Sequence, residues 1–137
     1  MNLFADSSAL AKRYIADERS DELDEVLQSA TNLAVSVLCV PEIISALCRR
    51  RRERFVSKTQ YEAARKALES DIGDAAVIQI VDEVLVQSIR LSEAHSLRAS
   101  DAIQISSALA WRADKFVSAD ARQCTAARAA GLDVIRL

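Results

Sequence analysis

Four acidic residues, Asp6, Glu42, Asp101 and Asp120, stand where short apolar runs hand over to helical patterns. Asp6 follows Asn2-Leu3-Phe4-Ala5, Glu42 comes after the run Leu33 to Leu38 and Pro41, Asp101 opens a helical stretch behind Arg98, and Asp120 closes Lys115-Phe116-Val117-Ser118. Carboxylates crowded together raise one another's pKa and cost stability unless a cation neutralises them. Mg²⁺ or Mn²⁺ suits this inventory, because each takes oxygen ligands and Mg²⁺ needs only one or two carboxylates beside substrate phosphate. Zinc is disfavoured, since His95 is the only histidine. The chemistry open to such a site is phosphodiester hydrolysis, in which the ion activates water and stabilises charge in an in-line displacement. Glu42 or Asp120, in an outer position, could take the proton of the attacking water.

Each acid also has a simpler job open to it. Helix starts present free N–H groups and a partial positive charge, so an acid there is explained without any function. Asp120 with Gln123 has the spacing of a capping pair, Glu42 stands just after Pro41, and Asp101 follows Ser100 in a first turn. Topology distinguishes the two readings. In an alternating β/α chain the strand-to-helix junctions fall on one edge of the sheet, where ligand sites form. Asp6 and Asp120 belong to that edge directly and Glu42 lies a few residues past it. Asp101 sits on the helix before the fourth strand, so topology alone does not place it. Ser7 and Ser118 are suited either to orienting waters and ligand carboxylates or to capping helices.

The elements follow from periodicity. Asn2 to Ala5 predicts a short buried strand, Ser7 to Ile15 a helix, and a further helix follows Ser20 with Leu23, Val26 and Leu27 on one face. Leu33 to Leu38 predicts the second strand, and Pro41 suits the first turn of a helix running to about Glu53. Ser57 with Gln60 has the form of a capping box for a helix ending near Asp71 to Asp74. Val77 to Val81 reads as the third strand, Asp82 as the start of a helix through Leu91, and Ser100 as the cap of a helix from Asp101 to about Ala113. Lys115 to Ser118 and Val134 to Leu137 complete the strands, with a helix from Asp120 to Ala130 between them and Gly131 as its stop. Apolar strands separated by helices imply a parallel sheet covered on both faces, a three-layer α/β/α domain.

Bulk properties narrow the class. With 137 residues the chain makes a single domain able to bury its core without disulfides, and 50% hydrophobic against 4% aromatic content makes that core aliphatic. No apolar stretch approaches the roughly 20 residues of a membrane span and no signal peptide opens the chain, so a cytoplasmic protein is expected. Cys39, Cys48 and Cys124 have no CxxC spacing and read as reduced thiols. The net charge of -2 argues against binding nucleic acid by overall electrostatics, but Arg49, Arg50, Arg51, Arg52 and Arg54 form a dense local basic run. That run reads either as a solvated helix end or as a contact surface. No P-loop, GxGxxG or GxSxG pattern is present.

The chain resembles the PIN domain family, and within it the VapC-type toxin ribonucleases of toxin–antitoxin pairs. The resemblance rests on Phe4-Ala5-Asp6-Ser7-Ser8-Ala9-Leu10, Pro41-Glu42-Ile43-Ile44-Ser45-Ala46-Leu47, Leu97-Arg98-Ala99-Ser100-Asp101-Ala102-Ile103 and Phe116-Val117-Ser118-Ala119-Asp120, in that order. It implies a five-stranded parallel sheet in the order 3-2-1-4-5. It also implies Asp6 and Asp101 as the main metal ligands, Asp120 as a direct or water-mediated ligand, and Glu42 as a catalytic acid. The implied activity is endoribonuclease cleavage with Mg²⁺ or Mn²⁺ that leaves a 3'-hydroxyl and a 5'-phosphate. The implied partners are RNA, a second copy of the chain in a homodimer, and a small antitoxin whose tail blocks the site, using the Arg49 to Arg54 region. Relatives often carry Asp-Ala-Leu-His-Leu-Ala where this chain reads Asp101-Ala102-Ile103-Gln104-Ile105-Ser106. Two other readings stay open: a catalytically silent module binding RNA or protein through its arginines, and a phosphatase using Asp6 as nucleophile. The latter lacks the second Asp that it needs at Ser8.

Overall fold

The computed structural model describes residues 1–15 and 19–137. Five strands, β1 (Asn2–Ala5), β2 (Asn32–Ser36), β3 (Ala76–Ile78), β4 (Lys115–Ser118) and β5 (Val134–Arg136), form one sheet in the order β3-β2-β1-β4-β5. Every pairing is parallel, with Phe4 opposite Ala34 on one side and Phe116 on the other. The α-helices are α1 (Ser7–Leu10), α2 (Ser20–Ser29), α3 (Cys39–Arg52), α4 (Lys58–Gly73), α5 (Asp82–Ala94), α6 (Ala99–Trp111) and α7 (Ala121–Ala129). Among the described residues no helix is long and apolar enough to cross a membrane.

Successive strand residues point to opposite faces, so a strand buried on both must be apolar throughout. Leu3 and Ala5 of β1, with Val35 and Val117, pack on one face with Leu10, Leu23, Ile43, Leu47 and Leu68 from α1 to α4. Phe4, Ala34 and Phe116 pack on the other with Leu91, Ala102, Ile105 and Ala126 from α5 to α7. The Phe4 and Phe116 rings stack with centroids 5.8 Å apart, fastening β1 to β4 along the middle of the sheet. This is the three-layer α/β/α architecture expected from the alternation of strands and helices, in the strand order that the resemblance implied.

The departures are local. The first helix is α-helical only over Ser7–Leu10 and tightens to a 3₁₀ turn over Ala11–Arg13. Tyr14, at its end, donates to Asp71 Oδ2 at 2.6 Å, tying this turn to α4. α3 begins at Cys39, which keeps Pro41 in its first turn as expected. β3 is Ala76–Ile78, shorter than Val77 to Val81: as an edge strand it needs no long ladder, and Val81 is exposed at the start of α5. Ser100 does not cap α6; Arg98 holds the extended N-cap backbone, Ala99 starts the helix, and Asp101 falls in its first turn. Gly131, at φ 98°, follows α7 in the left-handed region, where only glycine is unstrained.

The capping box at α4 is complete: the Gln60 N–H donates to Ser57 Oγ at 3.1 Å and the Ser57 N–H to Gln60 Oε1 at 2.9 Å. Both residues are exposed, so Ser57→Ala removes the cap and little else. It is expected to lower unfolding free energy by about 1 kcal/mol in a urea titration, with an unchanged denaturant slope.

Candidate active site

β1 and β4 are neighbours whose chains continue to opposite sides of the sheet, so a crevice opens beyond their C-terminal ends. Asp6 is the first residue past β1 and its N–H still donates to the Val117 carbonyl, continuing the ladder. Its side chain is only 1% exposed. As N-cap of α1 it accepts the Ala9 N–H on Oδ1 at 2.8 Å. The Ser8 hydroxyl bridges both its oxygens at 2.8 and 2.9 Å, and the Ser118 hydroxyl donates to Oδ2 at 2.5 Å. These serines are themselves fixed, since Ser8 Oγ accepts the Ala119 N–H and Ser118 Oγ the Asp120 N–H, each at 3.1 Å.

Burial pushes the Asp6 pKa up to about 6, against the pull of the Ser118, Ala9 and Ser8 hydrogen bonds, and the nearby Asp101 charge adds to the rise. Three donors occupy the carboxylate, which has about four lone-pair sites. Because the single Ser8 proton is shared between both oxygens, a cation would take the place of one of its two contacts, on a group whose burial penalises unneutralised charge.

Glu42, in the first turn of α3, accepts the Ser7 hydroxyl at 2.9 Å and the Gln104 amide at 2.8 Å, both on Oε1. Asp101 accepts Arg98 Nε on Oδ2 at 3.2 Å, its side chain 15% exposed against 79% for the arginine. Asp120 caps α7 by accepting the Gln123 N–H at 2.9 Å, while Gln123 Nε2 donates to the Asp101 carbonyl at 3.3 Å and links α6 to α7. All four acids line one cleft of about 540 Å³ together with Arg49 and Arg98. A second cleft of about 460 Å³ adjoins it, lined by Arg98, Asp101, Asp120 and Arg122.

The cleft thus gathers every acid singled out from the sequence, including Asp101, which topology had not placed. Among the described residues no three acidic, histidine or cysteine side chains stand close enough to hold a metal ion. Their partners keep them apart: Asp101 pairs with Arg98, Asp120 caps α7, and Glu42 accepts from Ser7 and Gln104. The donor set still fits a hard divalent ion, since it consists of carboxylate and hydroxyl oxygens around a buried anionic centre. His95 lies at the end of α5 and lines neither cleft.

Ser7 and Ser118 orient carboxylates and cap no helix. Sequence reasoning missed Ser8 as a partner of Asp6, although a hydroxyl two residues after an N-cap aspartate was a visible signal. It also missed the bonds made by Gln104 and the pairing of Arg98 with Asp101 three residues on. All three cysteines are free, and burial pushes the Cys39 thiol up to about 12, as suits an inert reduced thiol.

A profile of the PIN domain matches residues 3–129, and the chain belongs to the PIN domain family. Its fold is similar to VapC20 of Mycobacterium tuberculosis, a sarcin-ricin loop cleaving toxin, at 18% identity and TM-score 0.72, covering 98% of this chain and 99% of that one. It is also similar to VapBC2 of Rickettsia felis bound to a promoter DNA fragment, at 14% identity and TM-score 0.72, covering 100% and 99%. A toxin–antitoxin complex from Klebsiella pneumoniae matches at 16% identity and TM-score 0.69, covering 98% and 96%. No curated protein matches the chain in sequence.

The raised Asp6 pKa has a definite sign in stability. Between the ordinary value of 3.8 and about 6 the folded protein holds a proton that the unfolded chain has released, so stability falls as pH rises through that window. Asp6→Asn removes the titration. The stability of the wild type relative to Asp6→Asn should therefore drop by up to about 3 kcal/mol between pH 4 and pH 7 in chelator, measured by denaturant unfolding.

Proposed function

We propose that the chain is a Mg²⁺- or Mn²⁺-dependent endoribonuclease, the toxin of a type II toxin–antitoxin pair acting in the cytoplasm. The observation that carries this reading is the buried Asp6 carboxylate, fixed by two serines at the centre of a cleft that also gathers Glu42, Asp101 and Asp120. Asp6 and Asp101 would hold the ion, with Asp120 as a direct or water-mediated ligand. When bound, the ion neutralises phosphate charge and lowers the pKa of the attacking water.

The remaining work falls to this chain's own groups. Glu42 accepts the proton of that water through Oε2, the oxygen its two hydrogen bonds leave free. Arg49, Arg98 and Arg122, around the rims of the two clefts, draw a phosphodiester backbone toward the acids despite the net charge of -2. RNA as substrate accords with the described action of the similar mycobacterial toxin.

An antitoxin partner is supported by toxin–antitoxin complexes among the similar folds and by a groove beside the arginine run. That groove, of about 540 Å³, is lined by Tyr14, Ile15, Arg50, Phe55 and Ala64 among others. Phe55 is 70% exposed, with the Arg50 guanidinium 5.5 Å above its ring, which offers a partner both apolar and cationic contact. A homodimer is supported by Val81, Leu85 and Ile89, one helical turn apart and exposed along α5.

The run Arg49 to Arg52 with Arg54 supports one second reading, a silent module that binds RNA or protein through its arginines. Titration with Mn²⁺ separates the two: the nuclease reading expects binding that Asp6→Asn and Asp101→Asn each weaken at least tenfold, and equal binding by all three proteins favours the module. With RNA and Mg²⁺, each substitution should cost at least about 100-fold in cleavage rate, and products should carry 3'-hydroxyl and 5'-phosphate ends. Cyclic 2',3'-phosphate ends, or cleavage in excess chelator, would contradict it.

A further inference from the structure

Gln104 is a large polar residue in the core of the molecule, 2% exposed, on the helix that carries Asp101. Its polar neighbours on α6 are satisfied within their own helix: Ser106 Oγ donates to the Ala102 carbonyl at 2.7 Å and Ser107 Oγ to the Ile103 carbonyl at 2.8 Å. Gln104 instead reaches across the cleft floor. Nε2 donates to Glu42 Oε1 at 2.8 Å and to Ser7 Oγ at 2.8 Å, and that same Ser7 hydroxyl donates to Glu42 Oε1 at 2.9 Å. A closed triangle joins α6, α1 and α3 at one carboxylate oxygen.

The orientation of the amide is fixed by its surroundings. Turning it over would set Oε1 against Glu42 Oε1, two acceptors facing each other without a proton between them. In the observed orientation Gln104 Oε1 is buried with no hydrogen-bond partner among the described residues. Leaving a buried acceptor unpaired is unfavourable. A leucine would fill the same space without that loss. What the glutamine supplies and an apolar residue cannot is the pair of N–H bonds, both directed at the Glu42–Ser7 unit.

Both bonds to Glu42 land on Oε1, so they lock the plane of the carboxylate and leave Oε2 directed by geometry alone. We infer that Gln104, acting with Ser7, is a positioning residue for Glu42, holding its free oxygen where the proton of the attacking water is taken. This rests on the nuclease reading above. Gln104 makes no hydrogen bond to Asp6, Asp101 or Asp120, so its effect is on turnover and leaves metal affinity alone.

The test is a double-mutant cycle on Mg²⁺-dependent RNA cleavage, using Gln104→Leu and, as a second variant closer in shape, Gln104→Met, each alone and combined with Glu42→Gln. Circular dichroism and thermal melts establish that each protein is folded. Either single Gln104 variant should lower kcat roughly 10- to 100-fold with KM changed no more than about 3-fold, because misplacing a reacting group by about 1 Å costs on that order. Combined with Glu42→Gln, the same substitution should cost no more than about 2-fold further, since the group that it positions is already disabled. Mn²⁺ affinity by calorimetry should stay within about 2-fold of wild type. Fully additive losses in the double variants, or a loss confined to KM or to Mn²⁺ affinity, overturn the positioning role while leaving the nuclease intact. Wild-type protein that cleaves no RNA with either ion overturns the nuclease reading and the role of Gln104 with it.

Discussion

A single buried carboxylate organises the functional edge of this protein. Asp6 lies at the end of the central strand, almost without solvent contact, where burial makes its negative charge unfavourable. Hydrogen bonds from Ser8, Ser118 and the Ala9 N–H recover only part of what hydration would give. Because the oxygens of those serines also accept the Ala119 and Asp120 N–H groups, the environment of the carboxylate and the course of the chain leaving β4 are set together. Asp6 therefore couples the end of β1 to the start of α7.

The rest of the fold makes that position possible. Parallel pairing of β1 with β4, fastened by the Phe4–Phe116 stack, brings residues far apart in sequence to one edge. The layers on either face then deliver the remaining acids from different elements: Glu42 from α3 on one side, and Asp101 and Asp120 from α6 and α7 on the other. Gln123 and Gln104 span between these elements, so the cleft walls are held by side-chain bonds as well as by the core. The acids are each held by protein donors: Asp101 by Arg98, Glu42 by Ser7 and Gln104, and Asp120 by the α7 N-terminus.

The sheet was legible because its strands are apolar on both faces and each ends at a polar junction, a pattern with few other interpretations. Asp6 and Asp120 were legible for the same reason, since their place at the sheet edge follows from strand direction alone. Asp101 was not, because the register of a helix that leads into a strand depends on packing that no local pattern encodes; only resemblance supplied it. Ser100 misled because an apparent cap competes with neighbouring residues, and here the chain turns helical two residues earlier than expected, at Ala99. Gln104 was seen as a departure from the family pattern, yet its contact with Glu42 joins residues 62 positions apart in sequence and emerges only in three dimensions.

The central claim is the proposal that Asp6 anchors a divalent-ion site in this cleft. Anomalous diffraction from crystals soaked in Mn²⁺ tests it most directly. A peak at coordination distance from an Asp6 carboxylate oxygen, with Asp101 or Asp120 turned toward it, is the predicted result. A saturated soak with no peak in this cleft, or with Mn²⁺ bound only elsewhere, would contradict the account.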